Sequence, residues 1–143
     1  MTVAQIMEKM ILFSDGNRKS INHFMKVWTY AKTIGEQEGL DEETLFVLED
    51  TAIVHDIACP MCREKYGHCQ GPVQEKEGAA MVYDFFSDCG LTAEQVDRIS
   101  YLVGHHHTVS MVDGPDYQIL LEADYLVNSD EKDVSAENVI HTR

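Results

Sequence analysis

The sequence predicts an all-α protein, a helical bundle of about six helices, and three observations carry that prediction. Apolar residues recur at helical spacing through nearly the whole chain, while the alternating runs that mark strands are almost absent. Caps and breakers fall between the periodic stretches: Ser14-Asp15-Gly16-Asn17, Gly39 ahead of Asp41, and Asp113-Gly114-Pro115. The 143 residues, 44% of them apolar, suffice for one core, and a single domain over residues 1–143 is expected. There is no internal repeat or low-complexity segment.

The first helix is expected from about Val3 to Phe13, with Val3, Ile6, Met7, Met10 and Ile11 on one stripe. The second is expected from about Arg18 to Glu38 and is apolar on two sides. Ile21, Phe24, Met25, Trp28 and Ala31 make one side, and Val27, Tyr30 and Ile34 the other. Gly39 ends it. Asp41 caps a third, predicted to reach about Ile57 before Pro60 stops it. Residues 59–72, CPMCREKYGHCQGP, show little periodicity and read as a long loop. A fourth helix is expected from about Val73 to Phe86. Thr92 caps a fifth that runs into a histidine run, a sixth is expected over about Asp116 to Asn128, and Ser135 opens a short last one.

The net charge of −14 bears on partners. Nucleic-acid binders usually present a basic face, so neither DNA nor RNA is expected to bind, nor an anionic membrane surface. An anionic substrate would need local compensation from a metal or from a few Arg and Lys. The N-terminal MTVAQIMEKMILF lacks the basic region and unbroken apolar core of a secretory signal. No run approaches the ~18–20 apolar residues of a membrane span. Four cysteines are too few and too clustered for a secreted disulfide framework, which makes a cytoplasmic protein the expectation.

Against this background four ionisable residues stand out: His23, the pair His55-Asp56, and Asp124. Each falls on a line of apolar residues. His23 is four residues before Val27 and seven before Tyr30; His55 is three after Ala52 and seven after Leu48; Asp56 is three after Ile53; Asp124 is four after Leu120 and seven after Tyr117. Buried ionisable groups are costly unless partnered. A shared divalent metal is the simplest partner for two imidazoles and two carboxylates, and facing helices of a bundle are a usual place for one. Adjacent helix residues point ~100° apart, so one ion reaches both His55 and Asp56 only near a helix end. Taken singly, each has a plainer reading as a hydrogen-bonded core His, a cap or an ion pair.

These residues match a family pattern. INHFMKVWTYA around His23, LEDTAIVHDI around His55-Asp56, EGAAMVYDFF, RISYLVGHHH and LLEADYLVN around Asp124 together resemble the HD-domain metal-dependent phosphohydrolase superfamily over about residues 18–128. The resemblance implies that His23, His55, Asp56 and Asp124 bind one divalent ion (Mn, Fe, Co, Ni or Zn). It implies phosphohydrolase activity but less about the substrate, since the family cleaves several kinds of phosphate bond; small phosphate esters are the candidates, with nucleotides first. Members with two metals commonly carry a His four residues before the glycine of the fourth helix. Here that position is Gln74, a poor substitute for an imidazole ligand, which puts a second ion in doubt.

The remaining candidates surround that set. In the run His105-His106-His107, His106 lies three, four and seven residues beyond Val103, Leu102 and Ile99, and is best placed to point inward. His107 reads as an exposed helix end, and His105 is kept as a phosphate contact. Glu75 aligns with Ala79, Val82 and Phe86. It is either a general acid/base, a ligand of a weakly held second ion, or a first-turn Glu favoured by the helix dipole. Arg18, Arg63 and Lys65 could hold phosphate oxygens, while Lys26 reads as surface charge. Cys59-x-x-Cys62 followed by His68-Cys69 has zinc-ligand spacing in a cramped form, and free thiols on a lid are the reading taken.

The expected mechanism has Asp56 orient or deprotonate the attacking water, with His106 and a basic loop residue stabilising charge on the phosphate. The rival reading is a sensory module that keeps the fold and metal and binds a nucleotide or other anion without turnover. A third makes the cluster purely structural. The Met-rich first helix could pack against a second copy, giving a homodimer. The fifteen residues after Asn128 leave little room for a capping domain, so the pocket is expected to be open or completed by the 59–72 segment.

Overall fold

The computed structural model describes residues 1–131; the short helix expected from Ser135 lies outside them. The described residues form seven α-helices and one 3-10 turn, with no strand among them. α1 (Val3–Phe13) begins at a reciprocal cap: the Gln5 N–H donates to the Thr2 hydroxyl at 3.2 Å, and the Thr2 N–H donates to the Gln5 side chain at 2.9 Å. α2 (Arg18–Gln37) is capped by Asn17 and α3 (Glu42–Val54) by Asp41, whose carboxylate accepts from Thr44 N–H at 2.7 Å.

The 59–72 segment is not the loop its weak periodicity suggested. Residues Cys59–Tyr66 form α4. Pro60 sits in the first turn, where a missing N–H costs nothing because those donors have no partner inside the helix. Gly67, at φ 79°, ends α4 in the left-handed region that side chains disfavour. The free-thiol reading fails for two of the three cysteines here. Cys59 and Cys69 are disulfide-bonded, their Cα atoms 5.3 Å apart, which also removes both as zinc ligands. Cys62 is a free thiol, but it is fully buried.

α5 (Gly71–Phe85) and α6 (Ala93–Val103) pack as a pair. They cross closely at Gly78, where an added Cβ would stand 2.8 Å from Val103. The Ser100 hydroxyl ties the pair by donating to the Ala79 carbonyl at 2.8 Å. α6 stops at Val103, so the histidine run lies on the turn beyond it. A 3-10 turn at Val109–Met111 leads to α7 (Pro115–Glu131). The Arg98 guanidinium holds this stretch, reaching Asp113 and Asp116 with two bonds each at 2.8–3.0 Å.

α3 is the axis of the bundle and packs against α1, α2, α6 and α7. Every residue from Val47 to Val54 is buried, so that stretch has no solvent face and the helix has little amphipathic signal. Fully burying Leu48 and Ile53 stabilises the fold by roughly 1.5–3 kcal/mol each. The stripes hold on α1 for Ile6, Met7 and Met10, but Ile11 is exposed, as is Tyr30 on α2. No helix among the described residues is long and apolar enough to cross a membrane.

Candidate metal centre

α2, α3 and α7 meet at one end of the bundle. His55 directly follows α3, and the chain turns through residues 55–58, which lets His55 and Asp56 face the same point. His23 Nε2 lies 3.0 Å from His55 Nε2, 2.9 Å from Asp56 Oδ2 and 3.5 Å from Asp124 Oδ1. His55 Nε2 lies 3.2 Å from Asp56 Oδ2 and 3.1 Å from Asp124 Oδ1. Atoms bound to one ion at about 2.1 Å stand roughly 3.0–3.5 Å from each other in octahedral or tetrahedral arrangements. The spacings fall at the edges of such a polyhedron. His23, His55 and Asp56 each offer a ligand atom within 4.8 Å of the others.

The outer ring nitrogens say what these imidazoles can donate. His55 Nδ1 faces the Ala52 carbonyl at 2.7 Å, and an acceptor there requires a proton on Nδ1. His23 Nδ1 faces Glu131 Oε1 at 2.5 Å, with the same consequence. In the neutral rings, both Nε2 atoms therefore carry lone pairs, and those lone pairs converge with two carboxylates. Acceptors of His23, His55 and Asp56 lie mutually close with no donor among them, and Asp124 Oδ1 borders both imidazoles, which fits a divalent cation. Outer N–H groups fixed by a carbonyl or carboxylate are also the usual support of metal-bound histidines.

The same field acts on protons. Burial opposes an imidazolium at His23, but Asp124 and Asp56 outweigh it and raise the pKa to about 9. His55 is raised well above its ordinary value against full burial, by Asp56 and Asp124. Burial would raise the pKa of Asp56, yet the positive His55 holds it well below the usual carboxylate range; Asp124 is likewise lowered. The pocket favours positive charge, and a bound cation would displace those protons.

The α5–α6 crossing brings a second group alongside. The buried His106 donates from Nδ1 to the Val103 carbonyl at 2.6 Å, leaving Nε2 3.4 Å from Asp56 Oδ1 with no hydrogen-bond partner. His107 was expected to be an exposed helix end, but it joins this group: Asp56, His106 and His107 also place ligand atoms within 4.8 Å of one another. Gln74 lies between them. Its amide NH2 donates to Asp56 Oδ1, and its carbonyl oxygen faces His107 Nε2 at 2.6 Å. His107 is exposed as expected, but it lies on the turn beyond α6, where its ring nitrogen reaches Gln74 beside Asp56.

Glu75 does not face the cluster. Its Oε2 accepts from the His107 N–H at 3.0 Å and the Thr108 hydroxyl at 2.9 Å, holding the histidine turn. The Tyr117 hydroxyl braces the same turn, shared between the carbonyls of His105 and Thr108. His105 points away: Nδ1 bonds the Tyr101 carbonyl at 2.7 Å and the ring stacks on Tyr101 at 4.1 Å.

Of the cations expected to serve the site, Arg63 lines the cavity beside His23 and Asp56, whereas Arg18 and Lys65 do not. Lys65 lies over the Tyr66 ring. Lys19 lines the cavity in place of Arg18, and spacing could have found it: it stands four residues before His23, on the same helical face. Glu131 was also legible in principle, two helical turns after Asp124 on α7.

An all-helical fold in which a His, a His-Asp pair and a distant Asp come together in a group that could hold a metal ion has the arrangement of the HD class. The HD-domain family model matches residues 20–131, and the chain belongs to that family. No curated protein and no solved structure matches the chain.

Proposed function

We propose that the protein is a metal-dependent phosphohydrolase that cleaves a small phosphate ester, with nucleotides as the first class to test. One observation carries the reading. His23 and His55, each with Nδ1–H fixed by an acceptor, aim bare Nε2 atoms at a point shared with Asp56 and Asp124. These four residues would hold one divalent ion. Such an ion would polarise the phosphoryl group and lower the pKa of a water beside it.

The chain's own groups do the rest. Asp56 is half-buried and meets the cavity, so its carboxylate can orient the attacking water and accept its proton. His106 stands beside Asp56 with Nε2 unpartnered, and as an imidazolium it would donate from that atom to a phosphoryl oxygen. Arg63 and Lys19 at the cavity wall supply positive charge for the phosphate.

A panel of nucleoside monophosphates, sugar phosphates and an aryl phosphate, assayed with added Mn or Co, tests this. Turnover that Asp56→Ala abolishes is the expected result. Equal inertness of wild type and variant across the panel refutes hydrolysis. If the protein then still holds metal and binds nucleotide, the sensory module is the correct reading.

A further inference from the structure

Beside His23 and Asp56 opens a cavity of about 620 Å³. Pockets for small organic ligands span roughly 300–1,000 Å³, so this one is large for a phosphoryl group alone. Its composition is uneven. Its apolar lining includes Met10 and Phe13 of α1 and Phe24 of α2, of which only Phe13 is exposed, and its polar lining extends from His23 and Asp56 to Asp15 and Asn17 just after α1. Phe13 is 47% exposed and meets Phe85 edge to face, ring centres 6.1 Å apart. A large aromatic left this open is poorly used by the core.

α1 also lies outside the segment that defines the family, residues 20–131. The residues that would hold the ion all fall within that segment. Phe13 thus belongs to an element outside the matched segment.

We propose that Phe13 of α1 determines substrate choice, by packing against a planar aromatic or heteroaromatic group of a phosphate monoester whose phosphate lies at His23 and Asp56. This rests on the phosphohydrolase reading for the position of the phosphate. A ring against Phe13 gains offset or edge-on contact on an otherwise wet surface. The selected class is esters in which a flat ring is carried by a short linker, nucleoside monophosphates among them. A sugar phosphate would leave Phe13 uncovered.

Adenosine 5′-monophosphate and ribose 5-phosphate share the phosphoribosyl part and differ by the base. kcat/KM for both is measured with the metal-loaded wild type, Phe13→Ala and Phe13→Leu. Phe13→Ala is expected to lower kcat/KM for the nucleotide about tenfold more than for the sugar phosphate, mainly through KM, with Phe13→Leu between. Calorimetric titration of the same proteins with the nucleotide gives a second readout. If no protein turns over either ester but Phe13→Ala weakens nucleotide binding about tenfold, the role of Phe13 stands and the hydrolase reading falls. If Phe13→Ala changes both esters equally, or leaves nucleotide binding unaltered, Phe13 does not select substrate, whatever the catalytic outcome.

Discussion

Asp50 is a carboxyl group in the middle of α3, fully buried, and neither of its oxygens has a hydrogen-bond partner. Burial, with the neighbouring carboxylate of Glu49 adding to it, pushes its pKa up to about 8; the amino group of Met1 pulls weakly the other way. Glu49 itself accepts from the Trp28 indole N–H at 2.9 Å. The native state therefore keeps a proton on Asp50 that the unfolded chain releases near pH 3.8. Between those values the native state binds more protons, so unfolding free energy falls as pH rises, and the loss is complete above about pH 8. Every tenfold difference in proton affinity between the folded and unfolded chain is worth about 1.4 kcal/mol, so the full window reaches on the order of 5 kcal/mol. Water entering around the charged form reduces that figure, which makes it an upper bound. Asp50→Asn keeps the shape and removes the proton. Urea unfolding of both proteins from pH 5 to pH 9 isolates this group, because contributions common to the two, the His23 and His55 cluster included, cancel in the difference. The variant should already be the more stable by about 1.5 kcal/mol at pH 5, roughly one pH unit above the unfolded pKa, and the gap should widen by several kcal/mol toward pH 9. Parallel pH profiles would refute the reasoning and mean that Asp50 is ionised and solvated.

The other predictions concern the site and its supports. Glu131→Gln weakens the acceptor that fixes the His23 ring, and metal affinity measured by competition with a chelating dye should fall roughly 10–100-fold; unchanged affinity would deny Glu131 that role. Glu75→Ala releases the His107 N–H and Thr108 hydroxyl, and should lower stability by about 1–3 kcal/mol in chemical denaturation without changing metal affinity at His23 and His55. The joint replacement Cys59→Ser with Cys69→Ser opens a short loop, and unfolding free energy should fall by about 2–3 kcal/mol; intact-mass analysis after thiol alkylation checks that the bond is present in wild type. Gln74→His replaces an amide with a ligand beside Asp56 and His106, and bound metal per chain should rise from one toward two.

Much of the fold was legible because helix caps and apolar stripes agree. Thr92, Asp41 and Asn17 each accept from a backbone N–H, and His23, His55, Asp56 and Asp124 lie in register with buried neighbours. What was lost has physical causes. α4 is short and has little apolar face, and Pro60 reads equally as the end of one helix or the first turn of another. The Cys59–Cys69 pairing depends on how α4 folds back, which sequence spacing does not encode. Glu75 aligned with an apolar stripe because it does point toward α6, but its partners are the backbone and hydroxyl of the turn beyond, which no periodicity reveals.

Gln74 shows how one substitution propagates through such a site. A carboxylate accepts only, so the side of the Gln74 amide that meets Asp56 Oδ1 must be its NH2. The amide oxygen then faces His107 Nε2, and an oxygen there requires His107 to carry its proton on Nε2. His107 thus presents a donor where a ligand would need a lone pair, although it sits close enough to Asp56 and His106 to complete a three-residue group. Burial and the neighbouring His106 lower its pKa, so it stays neutral and the arrangement holds near neutral pH. A histidine at position 74 could offer a lone pair to the same point, whereas the glutamine offers Asp56 a hydrogen. His106 differs: its Nδ1–H is held by the Val103 carbonyl, so its Nε2 keeps a lone pair beside Asp56, and Gln74 leaves this side of the pocket with one imidazole acceptor where a second ion would need more.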